Sequence, residues 1–305
     1  MYQNKSEESN EVMKKQQELS TSKTIIWNPW HGCKRCSTGC DHCYLFEKDY
    51  LRGYKHSDEI KFNKSQFYLP TRKTRQLNKA TGKNELIYKI PSGSTIIVCD
   101  NSDFFIEDAD YYRKRAWKII QERKDCLFSI TTKRLHRFYI NFPDSLINNI
   151  MLNVSIENQI TADLRIPLLL SIPCKYKGIE ISPILENINI EKYLSTGKID
   201  RVIVRGETSR HSKVRTCIYE NVLNIKKQCE LYDITFIFER TGSKLFKDNE
   251  LIKINGEQNE KDLANHYNIN NINQSFDWNL EQEELEQLER IEKASEVYSL
   301  ISKKA

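Results

Sequence analysis

The chain has 305 residues, of which 39% are apolar and 29% charged, and its net charge is +5. Such a composition belongs to a globular protein able to bury one large core, and no apolar run approaches the roughly 20 residues that a bilayer span requires, so no membrane contact is expected. The first 22 residues are polar and lack the apolar core of a signal peptide, which predicts a disordered segment and a cytoplasmic location.

In chain order, short β-branched runs recur at Thr24–Trp27, Thr95–Cys99, Leu127–Thr131, Met151–Ile156, Lys177–Ser182, Arg201–Val204 and Ile234–Phe238. Runs such as Ile96-Ile97-Val98 and Val202-Ile203-Val204 show no polar alternation and read as parallel strands covered on both faces. Between them lie amphipathic helix candidates at Asp108–Arg123, with Ala116, Trp117, Ile119 and Ile120 turned to the sheet, and at Cys217–Tyr232, with Val222, Ile225 and Cys229. The alternation predicts an α/β fold, either a full or partial (β/α) TIM-like barrel or an open wound sheet. The expected division is a disordered segment 1–22, a barrel 23–245 and a C-terminal extension 246–305.

Residues 45–93 form an insertion in that barrel. Between Arg52 and Lys89 it holds ten Lys or Arg against three Asp or Glu, interleaved with Tyr54, Phe62, Phe67, Tyr68 and Tyr88. This mixture reads either as a nucleic-acid contact surface or as an irregular solvated loop. Near the other end the stretch Asp277–Glu296 is acidic, and Leu280, Leu285, Leu288, Ile291 and Val297 give it a helical stripe.

In parallel α/β folds the site lies at the carboxyl ends of the strands. Polar groups gather there: Asp100-Asn101-Ser102-Asp103, Thr131-Thr132-Lys133-Arg134, Glu157-Asn158-Gln159, Ser182-Pro183, Arg205-Gly206-Glu207 and Glu239-Arg240-Thr241-Gly242. The first strand leads into Trp27-Asn28-Pro29-Trp30-His31-Gly32-Cys33-Lys34-Arg35-Cys36-Ser37-Thr38-Gly39-Cys40-Asp41-His42-Cys43-Tyr44, four cysteines in one loop. Four thiols so close read as a metal site. Cys36, Cys40 and Cys43 have the x3, x2 spacing by which radical S-adenosylmethionine enzymes hold a [4Fe-4S] cluster through three irons. Two close Cys-x2-Cys pairs also admit zinc. Trp27, Trp30 and Tyr44 read as packing around such a centre, and His31 and His42 as hydrogen-bonding a sulfur or the backbone rather than as ligands. Cys99, Cys126, Cys174, Cys217 and Cys229 are scattered and read as core thiols of a protein in a reducing compartment.

The strand-end residues in order, from Trp27-Asn28-Pro29 and the cysteine loop through Ser102-Asp103-Phe104-Phe105, Thr131–Arg134, Asn153–Gln159, Ala162–Leu169, Ile181–Leu185 and Gly206-Glu207-Thr208 to Gly242, resemble the phage-type three-Cys-motif family of divergent radical SAM-like barrels. The likeness covers about Thr24 to Leu245. It implies a [4Fe-4S] cluster, S-adenosylmethionine as cofactor, its reductive cleavage to a 5′-deoxyadenosyl radical, an electron donor and a three-Cys-motif partner protein, in a phage or defence setting. By analogy with such barrels, Asp100, Asn101 and Ser102 fall near the cofactor's amino group and Ser155, Glu157 and Asn158 near its ribose. Lys133 and Arg134 are placed on its carboxylate or on a substrate phosphate, or as salt bridges capping the mouth. Arg205, Glu207 and Arg210 form either a substrate clamp or a structural ion pair. A nucleotide or nucleic acid is the expected substrate.

The sequence departs from that family twice. The family's x6, x2 spacing selects Cys33, Cys40 and Cys43, which leaves Cys36 as an extra thiol, so the third ligand is Cys33 or Cys36. Where the family carries two glycines after the sixth strand, the first is Arg205 here, and the final motif reads Glu239-Arg240-Thr241-Gly242.

Overall fold

The computed structural model describes residues 23–77, 82–143 and 148–273. Seven strands form one parallel sheet in strict chain order: β1 (Thr24–Trp27), β2 (Thr95–Val98), β3 (Leu127–Thr132), β4 (Ile150–Ile156), β5 (Tyr176–Ile181), β6 (Arg201–Arg205) and β7 (Thr235–Arg240). All seven lie where the β-branched runs predict them, to within two residues at either end. The expected acidic helix near the C-terminus and the N-terminal 22 residues lie outside the described residues.

Contacts inside the sheet show its curvature. Arg201 on β6 donates to Ser129 Oγ on β3 at 3.1 Å, reaching past β4 and β5, and Thr131 on β3 donates to Glu180 on β5 at 2.7 Å. Side chains three strands apart meet only if the sheet curls toward them, so this face is concave. Among the described residues β1 and β7 do not pair, and the result is a half-barrel rather than a closed cylinder.

The convex face carries the apolar half of each strand. Ile96, Val98, Phe128, Ile130, Leu152, Val154, Ile179, Ile181, Val202, Val204, Phe236 and Phe238 are all buried there. Over them pack three helices: α2 (Asp110–Glu122) through Ala116, Trp117, Ile119 and Ile120, α3 (Gln159–Ser171) through Ala162, Ile166 and Leu169, and α4 (Tyr219–Leu231) through Val222, Ile225 and Cys229. Each such large side chain, fully buried, contributes about 1.5–3 kcal/mol. The concave face is polar instead, with Asn153 donating to Ser129 at 3.0 Å and Arg205 pairing with both Glu180 and Glu239.

Several further elements lie outside the repeat. Residues after the cysteine loop form α1 (Tyr44–Leu51), and the insertion continues into a two-stranded antiparallel ribbon, Lys73–Leu77 with Asn84–Tyr88. Much of what reads as an irregular loop is thus regular, because cross-strand bonding satisfies the ribbon's backbone internally. At the far end α5 (Glu257–His266) packs on β7 and sends Glu260 inward to Thr208 and Ser243. Among the described residues no helix is long and apolar enough to cross a membrane.

Candidate functional site at the mouth of the half-barrel

The cysteine loop lies at the carboxyl ends of the strands and is tied to those of β2, β3 and β4 and to a residue beyond β6. Ser102, after β2, donates to the Gly32 carbonyl at 2.5 Å. Arg134, after β3, donates to the Lys34 carbonyl at 2.7 Å, and Lys133 donates to Ser37 Oγ at 3.1 Å. Glu157, after β4, accepts from the Gly39 amide at 3.5 Å, and Arg215, beyond β6, donates to the Thr38 carbonyl at 2.9 Å. These bonds are non-local, so sheet order decides the position of the loop.

Within it the four thiols occupy distinct environments. Burial pushes the Cys33 thiol up to about 12, and burial also raises Cys43. A hydrogen bond from the Cys36 thiol, aided by the Lys133 charge, holds Cys40 well below the usual thiol range and raises Cys36 in return. Among the described residues no three His, Cys, Asp or Glu side chains converge as a ready-made single-ion site. The sulfurs instead influence one another across the loop, Cys40 acting on Cys33, Cys36 and Cys43. As a donor set they are soft thiol ligands of the kind that iron–sulfur groups and zinc both accept.

Glu157 is fully buried, held by Lys133 Nζ at 3.3 Å and Arg165 Nη1 at 3.1 Å. Burial pushes its carboxyl up, but Lys133, Ser37 and Arg165 together outweigh that and hold it below its ordinary value. Gly39 lets this pair approach the loop closely, since a Cβ there would stand 2.7 Å from Lys133 Nζ and 3.1 Å from Glu157 Cδ.

The remaining predicted residues divide between mouth and scaffold. Asn101 donates from Nδ2 to His31 Nδ1 at 2.9 Å and its Oδ1 is buried without a partner, whereas Asp100 meets Tyr44 through its carbonyl. The Asn158 side chain is spent capping α3, accepting from the Thr161 amide at 2.9 Å, and the Ser155 carbonyl accepts from Arg165 at 2.8 Å. Arg205 lies between Glu180 and Glu239 on the concave face, away from Glu207. Arg210 touches neither; its amide donates to Glu47 at 2.9 Å.

Both histidines bond carboxylates rather than sulfur or backbone. Because Asn101 donates to Nδ1 of His31, the Nε2 proton faces Asp49 at 2.8 Å. His42 Nδ1 lies 3.0 Å from Glu207, and its ring stacks on His211 with centroids 5.0 Å apart. Trp27 and Trp30 are fully buried, Trp30 stacked on Phe104 at 5.4 Å.

Four participants receive no individual role from the sequence: Asp103 and Arg165, which appear there only inside motifs, and Glu180 and Arg215. Asp103 accepts from Thr132 Oγ1 at 2.7 Å, the Lys133 amide at 3.1 Å and Arg134 at 3.0 Å. Arg215 donates through its amide to Glu207 at 2.7 Å and pairs with it through the guanidinium, the role expected of Arg205 or Arg210. Asp103 follows β2 and Glu180 lies near the end of β5, which is a hint, whereas Arg165 lies inside α3 and Arg215 ten residues past β6.

Fold and site define an α/β half-barrel protein with a thiol-rich loop seated on its carboxyl-end mouth. The chain belongs to the DUF5131 family, described as a protein of unknown function, whose model matches residues 20–275. No curated protein and no solved structure matches it.

Proposed function

We propose that this protein is a radical S-adenosylmethionine-type iron–sulfur enzyme, with Cys40, Cys43 and either Cys33 or Cys36 as cluster ligands. The observation that carries the reading is the tethering of the four-cysteine loop to the ends of three successive strands, β2, β3 and β4, and to Arg215 beyond β6, at the mouth of a parallel half-barrel with a polar concave face. When bound, such a cluster supplies one low-potential electron and an iron open to the amino and carboxylate groups of the cofactor.

The chain's own residues support that chemistry in three ways. Lys133 places a positive charge beside Cys40, which favours the thiolate a cluster needs. Asn101 Oδ1 is a buried acceptor without a partner, suited to a cofactor ammonium in the region assigned to Asp100–Ser102. Trp30 and Phe104 stack in the buried core against which Cys33 packs, apolar surface of the kind that keeps a cluster dry. Below the mouth, Arg205 between Glu180 and Glu239 offers a substrate a charged floor.

The reading includes a reducing cytoplasm, an electron donor and a three-Cys-motif partner protein; nine free cysteines suit the first. Anaerobic reconstitution should give a brown protein with about four irons per chain, and dithionite with S-adenosylmethionine should release 5′-deoxyadenosine. Cys33→Ala and Cys36→Ala, made separately, name the third ligand by which one abolishes iron uptake. A colourless protein holding one zinc, or a cluster that never yields 5′-deoxyadenosine with or without the partner protein, overturns the reading.

A further inference from the structure

The outer face of α2 carries a built groove that neither the cysteine site nor the core explains. It has a volume of about 520 Å³ and is lined by Tyr111, Lys114, Arg115 and Lys118 of the helix, by Asp110 at the helix start, and by Ile140 and Asn141. Tyr111, Lys114, Arg115 and Lys118 recur at helical spacing and share one side of the helix. Lys114, Arg115 and Lys118 are exposed, and Tyr111 shows 75% of its surface.

Among the described residues, the lining carboxylate Asp110 and Asp125 farther along are engaged by arginines. Asp110 is paired with Arg113 and, at 2.7 Å, with Arg137, and Asp125 is held by Arg123 at 2.8 Å. Arg113 is fully buried and donates to the carbonyls of Phe104 and Ile106 at 3.1 and 3.0 Å, while Asn141 donates to the Asp110 carbonyl at 2.9 Å. The Asn141 side of the groove is therefore fixed to the helix. Among the described residues the three groove cations have no anionic partner.

The groove also has a direction. At one end Asp108 meets Lys34 of the cysteine loop at 2.7 Å. At the other, one turn beyond Lys118, Glu122 accepts from Tyr88 of the ribbon at 3.0 Å, and Arg123 donates to the Ile90 carbonyl at 2.8 Å, which pins the base of the ribbon. The ribbon then adds Lys73 and Arg75, both exposed and on one face with Tyr88. The helix covers about 20 Å of this path.

We propose that this face binds single-stranded nucleic acid, its phosphates following Lys114, Arg115 and Lys118 toward Lys73 and Arg75, with a base stacked on Tyr111. Regularly spaced unpaired cations beside an exposed aromatic ring form the electrostatic track and stacking platform that single strands require. A concave groove follows a flexible phosphate chain, whereas a planar bilayer cannot enter it. The inference stands apart from the cysteine site, and binding is measured without any cluster.

Fluorescence anisotropy of the full chain with a labelled 12-nucleotide single strand tests it. The triple variant K114A/R115A/K118A should weaken binding at least tenfold and lower the slope of log K against log salt by about 2, since each lost phosphate contact removes about 0.7. Tyr111→Ala should weaken binding about tenfold with the salt slope unchanged. All four positions are exposed, so circular dichroism should show unaltered folding. Absence of binding at 100 mM salt, affinity indifferent to these variants, a duplex of the same sequence bound as tightly, or tighter capture by phosphatidylserine vesicles would each overturn the proposal.

Discussion

The Arg134 guanidinium lies 3.0 Å from the Asp103 carboxylate and, through its other nitrogen, donates to the Lys34 carbonyl at 2.7 Å. One buried arginine thus joins the end of β3, the loop after β2 and the cysteine loop. Arg134, read from the sequence either as a cofactor or phosphate contact or as a salt bridge capping the mouth, makes such a bridge here.

Removing one partner of that pair leaves a buried, uncompensated charge, and the side chains are only 7% and 8% exposed. Arg134→Ala should lower the free energy of unfolding by about 3–5 kcal/mol, measured by urea denaturation. Arg134→Lys should recover part of it, because an ammonium can reach Asp103 or the Lys34 carbonyl but does not span both like a guanidinium fork. Wild-type stability in Arg134→Ala would show that the pair does not hold the loop.

Acid should destabilise the fold. In Glu157, Glu180 and Glu207 burial pushes the carboxyl up, but Lys133, Arg205 and Arg215 respectively lead the groups that outweigh it, so each sits below its ordinary value near 4.5. A carboxyl depressed by folding stabilises the native state at every pH above its unfolded value and forfeits that contribution as pH drops through its folded value. The urea midpoint should therefore hold between pH 7 and 5 and decline below about 4.5. Glu207→Gln should be less stable at pH 7 and show a shallower acid limb.

Two glycines at the mouth should respond differently to alanine. A Cβ at Gly206 would meet the Thr241 carbonyl oxygen at 2.1 Å, and Gly242 opposite it holds φ at +74° with its own Cβ position 2.6 Å from the Glu207 amide. Backbone on both sides cannot yield. At Gly39 the nearest atom is the mobile end of Lys133. Gly206→Ala should cost more than the 1–3 kcal/mol typical of overpacking and Gly39→Ala less, a ranking that thermal melts can reverse or uphold.

The thiols should fall into two kinetic classes. Cys99, Cys126, Cys174, Cys217 and Cys229 are buried, and burial pushes Cys126 and Cys174 up to about 11 and Cys217 and Cys229 up to about 12. Cys36 is exposed, and Cys40 is held toward its thiolate. Native apoprotein should react rapidly with Ellman's reagent only at the loop, the remaining five thiols appearing on denaturation. Rapid modification of Cys217 or Cys229 in native protein would contradict the packing.

Much of the fold was present in local sequence. Seven β-branched runs mark the strands, and those such as Ile96-Ile97-Val98 and Val202-Ile203-Val204 lack polar alternation, a pattern set by the immediate neighbours of each residue. Helices α2 and α4 announce themselves by apolar spacing, but α3 does not, because Pro167 interrupts its pattern and the helix is held by the Asn158 cap and by packing on β4. The ribbon was hidden for a related reason: its strands lie in the open, so no buried face leaves an imprint on composition.

At the site, the sequence determined the chemistry on offer, four thiols beside one strand and charged groups at the ends of the others. Tertiary structure alone decided the pairings: Arg215 rather than Arg205 or Arg210 with Glu207, Arg205 between Glu180 and Glu239, and Arg165 with Glu157. Ion pairing depends on which strands are neighbours and how far the sheet curls, since a charge seeks whichever opposite charge burial brings within reach. Neither quantity is a property of any local stretch of the chain.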